Sequence, residues 1–402
     1  MFRFNRLAAV VAALTLAGAA HAQIAHDTVK IGVLADMSSL YADLGGPGSV
    51  EAVKMAVADF GGTVGGKKIE VISADHQNKP DVGASIARQW FDQDGVDMIT
   101  DLTTSSVALA VQEVARAKNK VILVSGAASS DLTGKACAPT SIHWTYDTVA
   151  LANGTGAAVV KAGGDTWFFI TADYAFGHAL ERDTSAVVKA NGGKVLGAVN
   201  VPLNTSDFSS YLLQAQASKA KIVGLANAGG DTVNSIKQAA EFGIVAGGQK
   251  LAGLLVFLSD IHSLGLKTAQ GLQLTESFYW DLNDETRAWS KRFFEKTKRE
   301  PTMNQAGVYG ATMAYLSAVK ATNSDDAMTV INKMRATPVN DFMTKNGKIR
   351  EDGTLVRDMY LFEVKKPEES KGPWDYYKLI STIPGEDAYK RPNGNECPAV
   401  KG

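Results

Sequence analysis

A chain of 402 residues is too long for one hydrophobic core and suits two domains. Its 41 basic and 42 acidic residues leave a formal charge of −1, which gives no electrostatic reason to bind nucleic acid or an anionic membrane. Beyond the N-terminus, no apolar run approaches the roughly 20 residues needed to cross a bilayer.

The chain opens on Arg3 and Arg6, continues through an uncharged apolar stretch over residues 7–20, and reaches Ala20-His21-Ala22. That order predicts a secretory signal peptide cleaved after Ala22. The stretch is too short to span a membrane, and no cysteine stands near the cleavage point to carry a lipid. The expected mature protein is periplasmic and soluble, with 380 residues and a charge of −3 once Arg3 and Arg6 are removed. Two cysteines remain, Cys137 and Cys397. Exported thiols oxidise in pairs, and with no third competitor one disulfide between them is expected.

Residues 28–34 (TVKIGVL) read as a first buried strand and 51–60 as an amphipathic helix. Residues 68–74, 96–100 and 121–125 predict further strands, with helices at 81–93 and 108–118. Short apolar strands alternating with helices indicate βαβ units and a parallel sheet. The pattern then restarts. Strands are predicted at 166–171, 194–201 and 220–226, and helices at 177–190, 209–218 and 232–242. From about residue 281 the chain turns helical, with helices at 285–299, 303–322 and 326–336. No low-complexity linker separates the two sets, which fits lobes joined by several crossing strands better than tethered domains.

Ligands of open parallel sheets bind beyond the carboxyl ends of the strands. After the strand at 96–100 come Asp101-Leu102-Thr103-Thr104-Ser105-Ser106 and then a helix. One hydroxyl suffices for a cap, and a run of them beside free N–H groups suits a carboxylate. Ser125-Gly126-Ala127-Ala128-Ser129-Ser130 follows the next strand, and its small residues let a ligand approach the backbone. In the second set, Asp173-Tyr174-Ala175-Phe176-Gly177 offers an aromatic cover and Asn227 to Thr232 offers Asn227 and Asp231 as polar contacts. Tyr41, in the loop after the first strand, holds a comparable position in the first lobe.

Enzyme signatures are missing. The sequence has no G-x-x-x-x-G-K-[ST] loop and no G-x-S-x-G elbow, and Gly45-Gly46-Pro47-Gly48 lacks dinucleotide spacing. The histidines are scattered, with no i, i+4 pair and no Cys/His cluster for a metal. No cofactor is expected.

Residues 28 to about 365 resemble the periplasmic-binding-protein family that includes the leucine/isoleucine/valine-binding proteins of ABC importers. The resemblance rests on Val29-Lys30-Ile31-Gly32-Val33 running into Met37-Ser38-Ser39 and Gly45, then Glu51-Ala52-Val53-Lys54-Met55-Ala56. Lys67-Lys68-Ile69-Glu70-Val71 leading to Asp75, the aromatic-Gly turn from Tyr174 to Gly177, and Phe208-Ser209-Ser210-Tyr211 continue it. The resemblance implies an α/β fold of two doubly wound, Rossmann-like lobes joined by a three-crossover hinge. These map onto residues 27–146 with 282–356 and 147–281 with 357–385, leaving 386–402 as a C-terminal tail. It also implies that Thr104, Ser105, Ala127 and Ala128 receive a ligand carboxylate, and the positions of Tyr41 and Tyr174 at strand ends suit them to cover its apolar body.

One feature departs from the family's amino-acid binders, which place a second-lobe carboxylate against the ligand ammonium. The corresponding stretch here, Gly253-Leu254-Leu255-Val256-Phe257, is uncharged. The sequence therefore resembles the subset that takes up amine-free acids, including aromatic ones, unless Asp231 replaces the missing charge. The expected function is capture of a small organic carboxylate by a monomer, with the permease subunits of an ABC importer as partner. The rival readings are an amino-acid binder of the same fold and a periplasmic sensor subunit.

Overall fold

The computed structural model describes residues 24–392 and 394–400, so the signal segment and its expected cleavage after Ala22 lie outside the described residues. The first half contains β1 (Thr28–Ala35), α1 (Gly46–Phe60), β2 (Thr63–Val64), β3 (Lys67–Asp75) and α2 (Pro80–Asp92). It continues with β4 (Met98–Asp101), α3 (Ser105–Ala117), β5 (Val121–Val124) and β6 (Ser141–His143). A six-stranded sheet results, in the order β2-β3-β1-β4-β5-β6, parallel except for the short edge strand β2.

After α4 (Thr148–Leu151) and α5 (Ala157–Lys161) the second sheet begins. It is built from β7 (Thr166–Ala172), α6 (Ala175–Ala190), β8 (Lys194–Val201), α7 (Ser209–Ala217), β9 (Ile222–Ala226), α8 (Gly229–Glu241) and β10 (Lys250–Gly253). Its four strands are parallel in the order β10-β9-β7-β8. Next come α9 (Leu258–Leu264), α10 (Leu266–Ala269) and β11 (Gln273–Glu276). The chain then returns to the first body through α11 (Asp284–Thr297), α12 (Met303–Thr322), α13 (Ala327–Arg335), β12 (Lys348–Ile349) and β13 (Leu355–Val356). Finally β14 (Met359–Val364) and β15 (Tyr377–Ile383) form an antiparallel sheet with β11, and α14 (Gly385–Ala388) follows. The chain thus passes between the bodies three times, after β6, after β11 and between β13 and β14. This is the two-lobed fold that the alternation of strands and helices predicts.

Element boundaries differ from the sequence reading by a few residues, mostly at helix starts. The hydroxyl run was expected to precede its helix, yet α3 already begins at Ser105 with Thr104 at the cap position. Glycine and proline at the start of α1 extend that helix back to Gly46. The uncharged stretch at 253–257 contributes only Gly253 to β10, and residues 254–257 form the loop that leads into α9. A uniformly apolar run does not reveal its own period. Cys137 and Cys397 are joined, closing a sequence separation of 260 residues, as the cysteine count predicts.

Both sheets place the cleft by the same rule. β1 lies between β3 and β4, and β7 between β8 and β9, so chain direction across each sheet reverses beside its central strand. Loops leaving the strands on the two sides of such a switch point splay apart and leave a crevice.

Candidate functional site

Tyr41 reaches the crevice because its loop is folded around one carboxylate. Asp36 follows β1 directly, is fully buried, and accepts hydrogen bonds from the N–H groups of Ser39 at 2.9 Å and Tyr41 at 2.8 Å. The Asn78 amide, from the loop after β3, donates to it at 2.8 Å. Burial pushes the Asp36 carboxyl up, but these bonds favour the charged form and hold it below its ordinary value. The loop so fixed turns the Tyr41 ring across the cleft, where its hydroxyl lies 2.6 Å from that of Tyr174. Tyr174 follows β7 in the other lobe. Gly229 brings the lobes close at a second point: its φ is 58°, and a Cβ there would lie 2.7 Å from the Leu40 carbonyl oxygen.

Beneath the tyrosine pair is a narrow pocket of about 10 Å³. Tyr41, Leu44, Thr103, Ser105, Gly126 and Ala128 bound it from the first lobe, and Tyr174, Phe176, Ala228, Leu255 and Phe257 from the second. Tyr146, at the first crossing between lobes, completes the wall. Its hydroxyl donates to the Gly126 carbonyl at 2.6 Å, and its ring meets Phe257 edge-on at 6.1 Å. No bounding residue carries a formal charge. A larger concavity, about 510 Å³, lies between α12 and α13, away from the strand ends that converge on the cleft.

The pocket's first-lobe side sets free backbone N–H groups beside the hydroxyls of Thr103 and Ser105. The first intrahelical bond of α3 runs from Ala108 N–H to Thr104 O, so the N–H groups of Ser105, Ser106 and Val107 precede the ladder, and no side chain caps them. Neither Ala127 N–H nor Ala128 N–H has a protein acceptor among the described residues. Ser105 Oγ accepts from Ser129 N–H at 3.1 Å, which joins the two loops. An uncapped helix start beside free amides attracts negative charge.

The sequence-predicted residues divide accordingly. Tyr41, Ser105, Ala128 and Tyr174 come together around the pocket. Thr104 lies behind it, its hydroxyl donating to Asn78 Oδ1, while Thr103 faces the pocket instead. Ala127 is tied back through its carbonyl, which accepts from His143 Nε2 at 2.6 Å. Asn227 accepts from the Thr232 hydroxyl at 2.7 Å and donates to Ser235 at 3.3 Å, which orders the start of α8. Asp231 accepts from the N–H groups of Asn204 and Thr205, each at 3.0 Å. Burial raises its carboxyl to about 6 against the pull of those two bonds.

Several residues escaped the sequence reading. Phe176 lies within the quoted turn after β7, so its signal was present. Tyr146 follows the three-residue strand β6, and Phe257 closes the apolar loop after β10, where no polar or glycine signal marks a site. Two further second-lobe carboxyls stand outside the lining. Asp260 caps the Phe257 N–H at 2.9 Å and is raised by burial to about 7, and Glu276 accepts from the Tyr377 hydroxyl at 2.8 Å.

Comparison with known proteins bears on the fold as a whole. The family model described as periplasmic binding protein matches residues 28–372. A periplasmic binding protein from Burkholderia mallei is 56 % identical in sequence, with 93 % of this chain and 100 % of that one covered at a TM-score of 0.92. A branched chain amino acid ABC transporter periplasmic ligand-binding protein from Burkholderia xenovorans is 42 % identical, with 92 % and 99 % covered at 0.82. A solute binding protein of an ABC transporter from R. palustris, solved in complex with benzoate, is 22 % identical, with 89 % and 97 % covered at 0.79. That last likeness shows the fold alone.

Proposed function

Because the chain belongs to the periplasmic binding protein family, we propose that it captures a small organic carboxylate, ring-bearing or otherwise apolar, between its lobes for an ABC importer. One observation carries the reading. A pocket without a charged side chain sets aromatic walls against the uncapped start of α3 and against Ala128, whose amide, like that of its neighbour Ala127, is free. The amides suit a carboxylate head, and Tyr41, Tyr146, Tyr174, Phe176 and Phe257 suit an apolar body. Capture is non-covalent binding with lobe closure, and no bond chemistry is assigned to the site. Benzoate, the ligand of the R. palustris neighbour, is a natural first probe.

A branched-chain amino acid is the second reading, favoured by the description of the Burkholderia xenovorans relative. It requires a partner for an ammonium group. Asp231 is engaged by Asn204 and Thr205, and the pocket wall offers no carboxylate.

A thermal-shift screen separates the two, since a ligand stabilises the native state by RT ln(1 + [L]/Kd). Benzoate-type acids are expected to raise the melting temperature and leucine to leave it unchanged. Stabilisation by leucine alone would overturn the carboxylate-only reading. Export with removal of residues 1–22 belongs to the same proposal. It predicts a mature N-terminus at Gln23, which intact mass of the periplasmic protein checks.

A further inference from the structure

Behind the first-lobe wall of the pocket lies a carboxyl group that ligand capture leaves unassigned. Asp101 ends β4, is fully buried, and with Leu102 forms two consecutive non-glycine residues in the left-handed region, at φ 77° and 58°. Side-chain-bearing residues adopt that backbone only where their surroundings hold them there. Asp101 Oδ1 accepts from the Asn304 amide at 3.0 Å. Asp101 Oδ2 and Asn304 Oδ1 are both buried acceptors without a partner among the described residues. A Cβ built on Gly126 would lie 2.6 Å from Asp101 Oδ1 and 2.7 Å from the Thr103 Cα. Gly126 and Thr103 line the pocket, so the carboxyl sits one layer behind its wall.

The groups facing Asp101 give it no positive charge. Asp36, from the end of β1, is held in its anionic form by its own hydrogen bonds and opposes a second negative charge nearby. Tyr146 faces it from the first crossing, and the donors Ser49 on α1 and Asn304 on α12 favour its charged form, against the larger effect of burial. His76, from the loop after β3, touches Thr103 Oγ1 at 3.1 Å, and burial lowers its ring to about 4, so it is neutral across the physiological range. A buried carboxyl without a counter-ion favours its neutral form. Burial pushes Asp101 up to about 6 accordingly. A proton on Oδ2 also gives that oxygen a donor to offer, while Asn304 presents an unpartnered acceptor on the side chain already bound to Oδ1.

We propose that Asp101 is a positioning residue that holds a proton: an anionic ligand settles beyond Gly126 and Thr103 when Asp101 is neutral, so capture at neutral pH takes up a proton from solvent. This rests on the carboxylate reading above. An ionised Asp101 one layer behind the wall opposes the ligand's charge, and a neutral one does not.

The test is calorimetry with benzoate between pH 5 and 8, in buffers of different ionisation heat, on wild type and Asp101→Asn. In wild type, Kd should weaken by up to about tenfold per pH unit above about 6, with a buffer-dependent heat that reports the proton. In the isosteric variant both effects should vanish. Asp231 and Asp260, which titrate in the same range, remain in that variant and are thereby controlled. A pH slope equal in both proteins, or none in wild type with benzoate bound, overturns the proposal.

Urea unfolding without ligand supplies the independent arm. A carboxyl raised on folding costs stability as pH rises, so wild type should lose stability relative to Asp101→Asn between about pH 4 and 6 and hold level above. A flat difference overturns the proton itself. If the difference slopes but benzoate binds at no pH, the carboxylate reading and its proton coupling fall together while the buried acid stands.

Discussion

The hydroxyls of Tyr41 and Tyr174 meet at 2.6 Å, and each belongs to the loop that leaves the central strand of its own sheet. Burial pushes both phenols above their ordinary value, so the contact is a bond between neutral hydroxyls. It joins the lobes directly over the pocket. A neutral hydrogen bond contributes about 0.5–1.5 kcal/mol. Tyr174→Phe should therefore weaken benzoate binding by about 2- to 12-fold while keeping the ring. Tyr174→Ala also removes the cover and should cost more, through lost burial and stacking. Calorimetry on the two variants decides, and unchanged affinity in both would mean that the tyrosine pair lies outside the binding site.

Ser105 and Thr104 are neighbours in sequence with different tasks in space. Ser105 lines the pocket at the start of α3, whereas Thr104 turns its hydroxyl to Asn78, which in turn holds Asp36. A hydrogen bond to a charged group contributes about 1.5–3 kcal/mol, so Ser105→Ala should weaken carboxylate binding by roughly 10- to 150-fold. Thr104→Val should act only through the Tyr41 loop and cost less, about 2- to 12-fold. A Thr104→Val variant more damaging than Ser105→Ala would reverse this ordering.

Much of this arrangement is legible in the amino-acid sequence alone. Strand period, helix caps and glycine stops predict the two parallel sheets, and the rule that ligands bind beyond strand ends leads to Tyr41, Ser105, Ala128 and Tyr174. Asn227 and Asp231 stand at the right strand end, but short polar side chains beside a turn also satisfy backbone and neighbouring groups, and that use prevails for both. Asp36 and Asn78 were not legible. They lie 42 residues apart, and only the parallel pairing of β1 with β3 brings their loops together. Period and composition carry no such long-range partner.

The Cys137–Cys397 bridge ties the tail beyond α14 to the first lobe, and Arg391 supports it by donating to Thr133 Oγ1 at 2.7 Å. Closing so long a loop removes unfolded-state entropy equivalent to about 5.5 kcal/mol at most, and measured gains are commonly lower. Cys397→Ser should therefore lower stability to urea by about 2–4 kcal/mol and expose the tail to proteolysis. Equal urea midpoints for wild type and variant would show that the bridge contributes nothing.

His143 links acid stability to the shape of the pocket wall. It is fully buried on β6, and its Nε2 donates to the Ala127 carbonyl, which fixes the loop carrying Ala128. Its Nδ1 has no partner among the described residues. Burial lowers the ring from 6.5 to about 4, and the charge of Arg391 adds to that, against the bond to Ala127 and the pull of Asp352. A ring lowered on folding stabilises the native state fully above about pH 6.5, and that contribution is lost as pH falls toward 4. The shift corresponds to on the order of 3 kcal/mol. His76 is lowered to about 4 in the same way, so wild type alone cannot apportion the effect. In His143→Gln, an amide that can still donate to Ala127 does not titrate. Its stability relative to wild type should rise steadily from pH 6.5 down to 4, while benzoate affinity at pH 7 stays close to that of wild type. Parallel stability profiles for the two proteins across that window would show that His143 does not titrate on unfolding.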